Sequence, residues 1–267
     1  MNTAKAFDVN KINEYRLSIQ VGLDGFSFLV FSGNTDELLH CKKNPVKISS
    51  SKLITRHFSD WIKAEPLLNL NYKNVEILTF EDHFTLIPGE ELLLNEADIL
   101  VNPDNDRQIF DNYIVSDDVR ILFGVNRELA QTIERLFRNV SWTHPVASVL
   151  NQFPTSEKQN TGILLQSGSN FYLIVKRKSQ LLLANCFSAE HDTDLVYIVL
   201  NTFRQLGVSR SLTHMMVAAG MGNNKRLTEI VTPYFSVVSE LKAAVIPGQS
   251  NIENISHTHL VLAAKPD

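Results

Sequence analysis

The same order of short apolar runs occurs twice in this chain, and a duplicated supersecondary unit limits the possible folds more than any other feature of the sequence. In the first copy, residues 17–21 and 26–31 are strand-length apolar runs separated by Gly22-Leu23-Asp24-Gly25. An Asp-Gly pair between β-rich runs signals a hairpin, because both residue types tolerate the positive φ of a tight turn. A third run, 37–42, follows the break Ser32-Gly33-Asn34. Ser49, Ser50 and Ser51 then offer helix caps ahead of Leu53, Ile54, His57, Phe58, Trp61 and Ile62, which recur at helical spacing before Pro66. Residues 75–80 read as a fourth strand, so the order is β-β-β-α-β.

The second copy follows the polar, linker-like stretch 154–161. Residues 163–168, 171–175 and 180–187 are its three strands. Asp192, Thr193 or Asp194 is expected to cap a helix over 195–206, which Gly207 ends. Residues 213–219, with Met215 and Met216, are apolar on both faces, as a buried central strand requires. Side by side, Gln20-Val21-Gly22 falls on Gln166-Ser167-Gly168, and Cys41 and Cys186 lie 21 and 20 positions beyond the two glutamines. Any two three-stranded meanders share a strand count; the matching Gln-x-Gly, third-strand cysteine and following helix favour duplication.

Composition narrows the function classes. With 267 residues, 44% hydrophobic and 20% charged, the chain has the make-up of one large or two ordinary globular domains, which excludes wholesale disorder, collagen and coiled coil. A net charge of −4 with no basic block disfavours a nucleic-acid groove, since phosphate binding needs clustered Lys and Arg. No apolar run approaches the roughly 18 residues of a membrane helix, and residues 1–13 lack the apolar centre of a signal peptide, so a cytoplasmic protein is expected. Two cysteines cannot form a disulfide framework and lack zinc-ligand neighbours; both are expected to be reduced and buried. No nucleophile elbow, P-loop or zincin motif occurs.

A tandem β-β-β-α-β unit with a small polar turn between the first two strands resembles the actin-like ATPase fold, an α/β architecture of two tandem ribonuclease-H-like halves. Residues 217–222, Val-Ala-Ala-Gly-Met-Gly, followed by Leu227, Ile230 and Val231, resemble that family's adenosine-side turn, and the passage 126–150 resembles the type IV pilus platform protein and the cell-division actin homologue. More narrowly, the sequence is similar to a Bacteroidetes domain-of-unknown-function family assigned this fold. The resemblance implies a first half over 10–89, a mixed α/β insert with a connecting helix over 90–153, and a second half over 160–267. It further implies a nucleotide cleft at Gln20, Gly22, Gln166, Gly168 and Gly220, with both hairpins against the phosphates. Active members carry an aspartate in Asp-x-Gly where this chain has Gln20 and Gln166. A neutral amide supplies no charge for Mg²⁺, a hard cation that seeks anionic oxygen. The expectation is therefore a degenerate scaffold or adaptor with a protein partner, no catalytic residues, no metal site and no cofactor. The alternative is a nucleotide-binding protein, or an ATPase or kinase, using ATP with Mg²⁺.

Several smaller features carry both a functional and a structural reading. Asp24 is a displaced metal ligand or ordinary turn chemistry. His257-Thr-His259 puts two imidazoles on one face of a strand, a zinc-compatible spacing without a third partner nearby. Asp98, Asp104, Asp106, Asp111, Asp117 and Asp118 lack calcium-loop spacing and read as a solvated face. Pro88 with Glu90 and Glu91 is expected to start a helix that leads into the insert.

Overall fold

The computed structural model describes residues 7–89, 101–152, 159–219, 224–242 and 257–263. The apolar runs form β1 (Tyr15–Gly22), β2 (Gly25–Ser32), β3 (Leu38–Pro45), α1 (Ile54–Ala64) and β4 (Asn74–Thr79). Next come β5 (Phe84–Pro88), β6 (Arg107–Ile114), β7 (Val119–Asn126), α2 (Arg127–Leu136), β8 (Val140–Thr143) and α3 (Pro145–Gln152). The second unit is β9 (Asn160–Ser167), β10 (Asn170–Arg177), β11 (Gln180–Ser188), α4 (Asp192–Gln205), β12 (Thr213–Ala219), α5 (Asn224–Val231) and β13 (Val237–Glu240), followed by α6 (His257–Ala263).

The strands pair into sheets of order β3-β2-β1-β4-β8 and β11-β10-β9-β12-β13, the same topology twice, with a three-stranded β5-β7-β6 sheet between them in sequence. In each large sheet the hairpin partners are antiparallel, and the fourth and fifth strands run parallel to the first. The fifth strand of the first sheet, β8, comes from within the stretch 90–153.

Register shows a slip that local sequence matching hides. The pair nearest the turn is Gly22 with Gly25 in the first hairpin and Ser167 with Asn170 in the second. Counting back, Val21 with Phe26 matches Gln166 with Phe171, and Gln20 with Ser27 matches Leu165 with Tyr172. The parallel neighbours agree: Val21 lies beside Thr79, where β4 ends, and Gln166 beside Ala219, where β12 ends. Gln20 and Gln166 are therefore not equivalent. A one-residue slip in a strand reverses the face on which a side chain lies, so the two amides point to opposite faces. The cysteines fail the same test. Cys186 pairs with Tyr172, whose counterpart Ser27 pairs with Lys43, not Cys41. Both cysteines are half-buried rather than buried.

Each sheet covers its outer face with its own helix. Val21, Phe26 and Phe28 lie under α1, where the Phe26 ring stands 5.6 Å from Phe58 and stacks 5.2 Å from Trp61. Leu164, Phe171 and Leu173 share a core with Leu195, Val199 and Phe203 of α4. Burying each such side chain is worth about 1.5–3 kcal/mol. His191 stands at the N-cap of α4 without a side-chain capping bond, and Asp192 and Asp194 fall in the first turn instead of capping it. There they complement the positive end of the helix dipole. Gly207, at φ +62°, ends the helix as expected.

On the inner face of the first sheet lies α6, so His257-Thr-His259 belongs to a helix and not to a strand. The buried His259 ring bridges Ser18 Oγ, 3.1 Å from Nε2, and Ser27 Oγ, 2.7 Å from Nδ1. Burial, with the nearby Arg16 charge, pushes its pKa down to about 3. Thr258 donates to the Ala219 carbonyl at 2.7 Å, Gln152 donates to the Leu262 carbonyl at 3.3 Å, and Arg16 donates to the Ala263 carbonyl at 3.3 Å. The final helix thus ties β1, β2, α3 and β12 together.

The central sheet locks onto the second half by a pair that composition reads as solvent-exposed. Asp117, in the β6–β7 turn, accepts from Lys176 of β10 at 2.9 Å, with side chains 1% and 2% exposed. Asp111 pairs with Arg120, Asp118 accepts from Tyr113, and Asp98 lies outside the described residues. Pro88 is the last residue of β5, its fixed φ suiting an extended strand end as well as a helix start. The expected helix from Glu90 lies outside the described residues.

Candidate functional site

The strongest candidate is the cleft between the two hairpin turns, at the carboxyl ends of the central strands, where α/β sheets place ligands. It encloses about 900 Å³ and is bordered by the β1–β2 turn, residues 45–49 after β3, the β9–β10 turn and the start of α4. The two turns touch. Ser167 Oγ donates to Asp24 Oδ1 at 2.9 Å across 143 positions of sequence. Leu23 packs beside Gly168, where an added Cβ would stand 3.7 Å from the Leu23 Cβ. The Leu23 carbonyl accepts from the Ile48 amide at 2.8 Å, which fixes that turn against the segment leading to α1.

The five residues named from the sequence do not converge. Gln166 lines the cleft, and its amide nitrogen reaches the Gly168 carbonyl at 3.4 Å. Gly168 also lines it, at φ +61°, a left-handed conformation that favours glycine. Gly22 is needed for space, not for φ: a Cβ there would stand 2.8 Å from Asp24 Oδ1 and 2.9 Å from Ser167 Oγ. The turn's positive φ belongs to Gly25, at +132°. Gln20 faces the interior, 0% exposed, and neither polar atom of its amide has a hydrogen-bond partner among the described residues. Gly220, with Met221 and Gly222, lies outside the described residues.

Charge in the cleft is mixed and leans acidic. Asp24, Glu190 and Asp192 line it against Lys47 and Arg226, and Arg226 is already paired with Asp192. Among the described residues no group of three or more His, Cys, Asp or Glu is arranged to hold a metal ion. Ser167 and Arg226 escape sequence reasoning, because their importance comes from a contact between segments far apart in the chain.

A second polar centre sits where β4 meets the central sheet. Glu81 accepts from the Thr79 hydroxyl at 2.8 Å and pairs with Arg107 at 3.2 Å. Burial pushes its carboxyl up to about 7 against the pull of both partners. The Glu81 carbonyl meets His144 Nε2 at 3.0 Å, and burial drives that imidazole down to about 4. His144 rests against Phe84, Phe123 and Tyr172, with ring centroids 4.5, 5.4 and 5.6 Å away. A neutral imidazole is the form this aromatic pocket accepts.

Comparison with known proteins follows the architecture. A Bacteroides thetaiotaomicron protein with an actin-like ATPase fold and unknown function superposes with a TM-score of 0.77, at 19% identity, over 97% of this chain and 99% of that one. The type IV pilus biogenesis complex PilM–PilN contains a chain that superposes with a TM-score of 0.57, at 13% identity, over 93% and 97%. At these identities the likeness establishes the actin-like ATPase fold. No curated protein sequence matches the chain. No helix among the described residues is long and apolar enough to cross a membrane. A family model of proteins of unknown function, DUF3822, matches residues 4–238, and the chain belongs to that family.

Proposed function

We propose that this protein is a catalytically degenerate actin-like scaffold or adaptor that acts in the cytoplasm by binding a protein partner and does not turn over ATP. The observation that carries the reading is the direct contact of the two hairpin turns, Ser167 Oγ to Asp24 Oδ1 at 2.9 Å with Leu23 against Gly168. In active actin-like ATPases, which this chain resembles, those turns hold phosphates between them, and here the turns hold each other. The charge balance of the cleft supports the same reading, since Asp192 neutralises Arg226 and leaves Asp24 and Glu190 to oppose a polyanion that the exposed Lys47 alone would have to attract. Gln20 and Gln166, on opposite faces, cannot jointly place water or metal over a phosphate. These residues do not fit Mg-ATP. A neighbour solved as a PilM–PilN complex lends further support to a partner-binding role.

Isothermal calorimetry and thermal unfolding with millimolar Mg-ATP and Mg-ADP test the reading. A ligand at a hundredfold its Kd stabilises by about 2.7 kcal/mol. The expected result is no heat and no shift in Tm. A saturable shift that disappears in a Ser169→Tyr variant, whose side chain would stand in the cleft that Ser169 lines, would replace this reading with a nucleotide-binding one.

A further inference from the structure

The outer side of the second half carries a groove that the cleft does not explain. It encloses about 940 Å³ between the C-terminal half of α4 and the segment leading into β13. On α4, Leu195, Val199 and Phe203 are buried, so the opposite stripe should be polar. Instead Tyr197, Leu200 and Arg204 recur at helical spacing along the groove wall, with Tyr197 67% exposed. Tyr234 is 39% exposed across from them, and Phe235 beneath is held edge-on by Phe203, ring centroids 5.0 Å apart. Two large aromatic side chains left in water around a firm apolar floor are the arrangement of an anchor pocket.

The charge of this groove identifies the occupant. Among its described lining residues there is no carboxylate, and both charged groups are arginines, Arg204 and Arg210, in a chain whose net charge is −4. Among the described residues the Arg204 guanidinium bonds to the neutral amide oxygen of Asn201, at 2.7 Å, and to no carboxylate. Arg210 is exposed and makes no ion pair among the described residues. Guanidinium groups without carboxylate partners beside apolar anchors match a segment carrying Asp or Glu around an apolar side chain. The adjoining β13 is the last strand in its sheet and has only four residues, so an extended segment can lie along its edge.

We infer that this groove binds an acidic, extended segment of a partner protein, with an apolar side chain seated between Tyr197 and Tyr234 and carboxylates on Arg204 and Arg210. The inference gives the proposed adaptor role a surface and a partner chemistry. It is tested apart from that role: nucleotide binding in the cleft would overturn the adaptor reading and leave the groove intact, whereas the selection below addresses only the groove.

The experiment is a randomised twelve-residue peptide display selected on the full chain and counted against an Arg204→Glu/Arg210→Glu variant. Both arginines are exposed, so the variant is expected to fold, and circular dichroism checks that it does. The expected result is enrichment of sequences with several Asp or Glu around a Phe, Leu or Trp. The synthesised consensus should lose at least tenfold in affinity on the double variant and on Tyr197→Ala, and should weaken with added salt. Enrichment without acidic bias, no enrichment over the variant, or a consensus that binds the variant equally well would overturn the proposal. Equal competition by an oligonucleotide of the same charge would overturn it too, showing a mere anion effect.

Discussion

Replacing each glutamine by aspartate separates two accounts of the cleft. If Gln20 and Gln166 were twin sites facing one another, Gln20→Asp and Gln166→Asp would cost about the same and repel when combined. The strand register gives a different expectation. Gln20 is 0% exposed on the face that carries Ser18, Ser27 and His259; of the cations on that face, Lys43 lies two strands away opposite Ser27, and Arg16 is engaged with Glu76 and Asp36. It is also four residues back along β1, roughly 13 Å at the usual rise. A carboxylate placed there takes up a proton rather than stay charged. Protonating a group of reference pKa about 3.9 at pH 7 costs about 3 pH units at roughly 1.4 kcal/mol each, so the charge penalty is capped near 4 kcal/mol. At pH 5 the cap falls to about 1.5 kcal/mol. Gln166→Asp, at the cleft wall, should stay within about 0.5 kcal/mol at either pH. Gln20→Leu should be neutral or stabilising by up to about 1 kcal/mol, because it removes an unpartnered buried amide, and its counterpart in the second sheet, Leu165, is already leucine. Urea unfolding of the three variants at pH 5 and pH 7 is the assay. Equal costs for the two aspartates, or a Gln20→Asp cost that does not shrink at pH 5, would refute the register argument.

Two further outcomes can be checked on the same instrument. Lys176→Met leaves Asp117 buried without its cation and should cost about 3–5 kcal/mol, while Lys176→Met with Asp117→Asn should cost clearly less, as a double-mutant cycle in urea would show. Stability should also depend on pH in a predictable direction. His144 and His259 have folded pKa values of about 4 and about 3, below the reference of about 6.5, so the unfolded chain binds more protons and stability falls as pH drops below about 6.5. Glu81, raised to about 7, acts oppositely: its contribution is present below about pH 4.5 and is lost as pH rises to about 7. With two histidines against one glutamate, unfolding free energy between about pH 4.5 and 6 should decrease on acidification by roughly 1.4 kcal/mol per unit, and His259→Gln should flatten that slope.

The topology was legible because it is written in local terms. Period-two apolar runs, Asp24-Gly25 and the helix-ending Gly207 each act within a few residues, and together they predict the β-β-β-α-β order of both units, though not the fifth strands, β8 and β13, that complete the sheets. Register was not legible. Gly22 is the last paired residue of its strand, whereas Gly168 is the first residue of its turn, so two glycines with different physical duties gave a false alignment and carried the glutamines with them. Alternating histidines at 257 and 259 suit a strand on paper, but α6 places His259 by its two serine partners from β1 and β2. Asp117 looked solvated because its cation lies 59 positions away on another element. The hairpin contact that shapes the cleft is likewise tertiary, so no local pattern pairs Ser167 with Asp24.

The placement of α6 also sets a timetable for biosynthesis. Ser18 is made 241 positions before His259. At about 5–20 residues per second, translation separates them by roughly 12 to 50 s. Through that interval the inner face of the first sheet, with Ser18, Gln20 and Ser27, has no cover from its own helix. The second half, whose β9, β10 and α4 share a core from one continuous stretch of chain, can close while the first still waits. Nascent chains arrested before residue 257 should therefore expose the first half to protease and chaperone while the second is already protected, and synthesis of α6 should close the first.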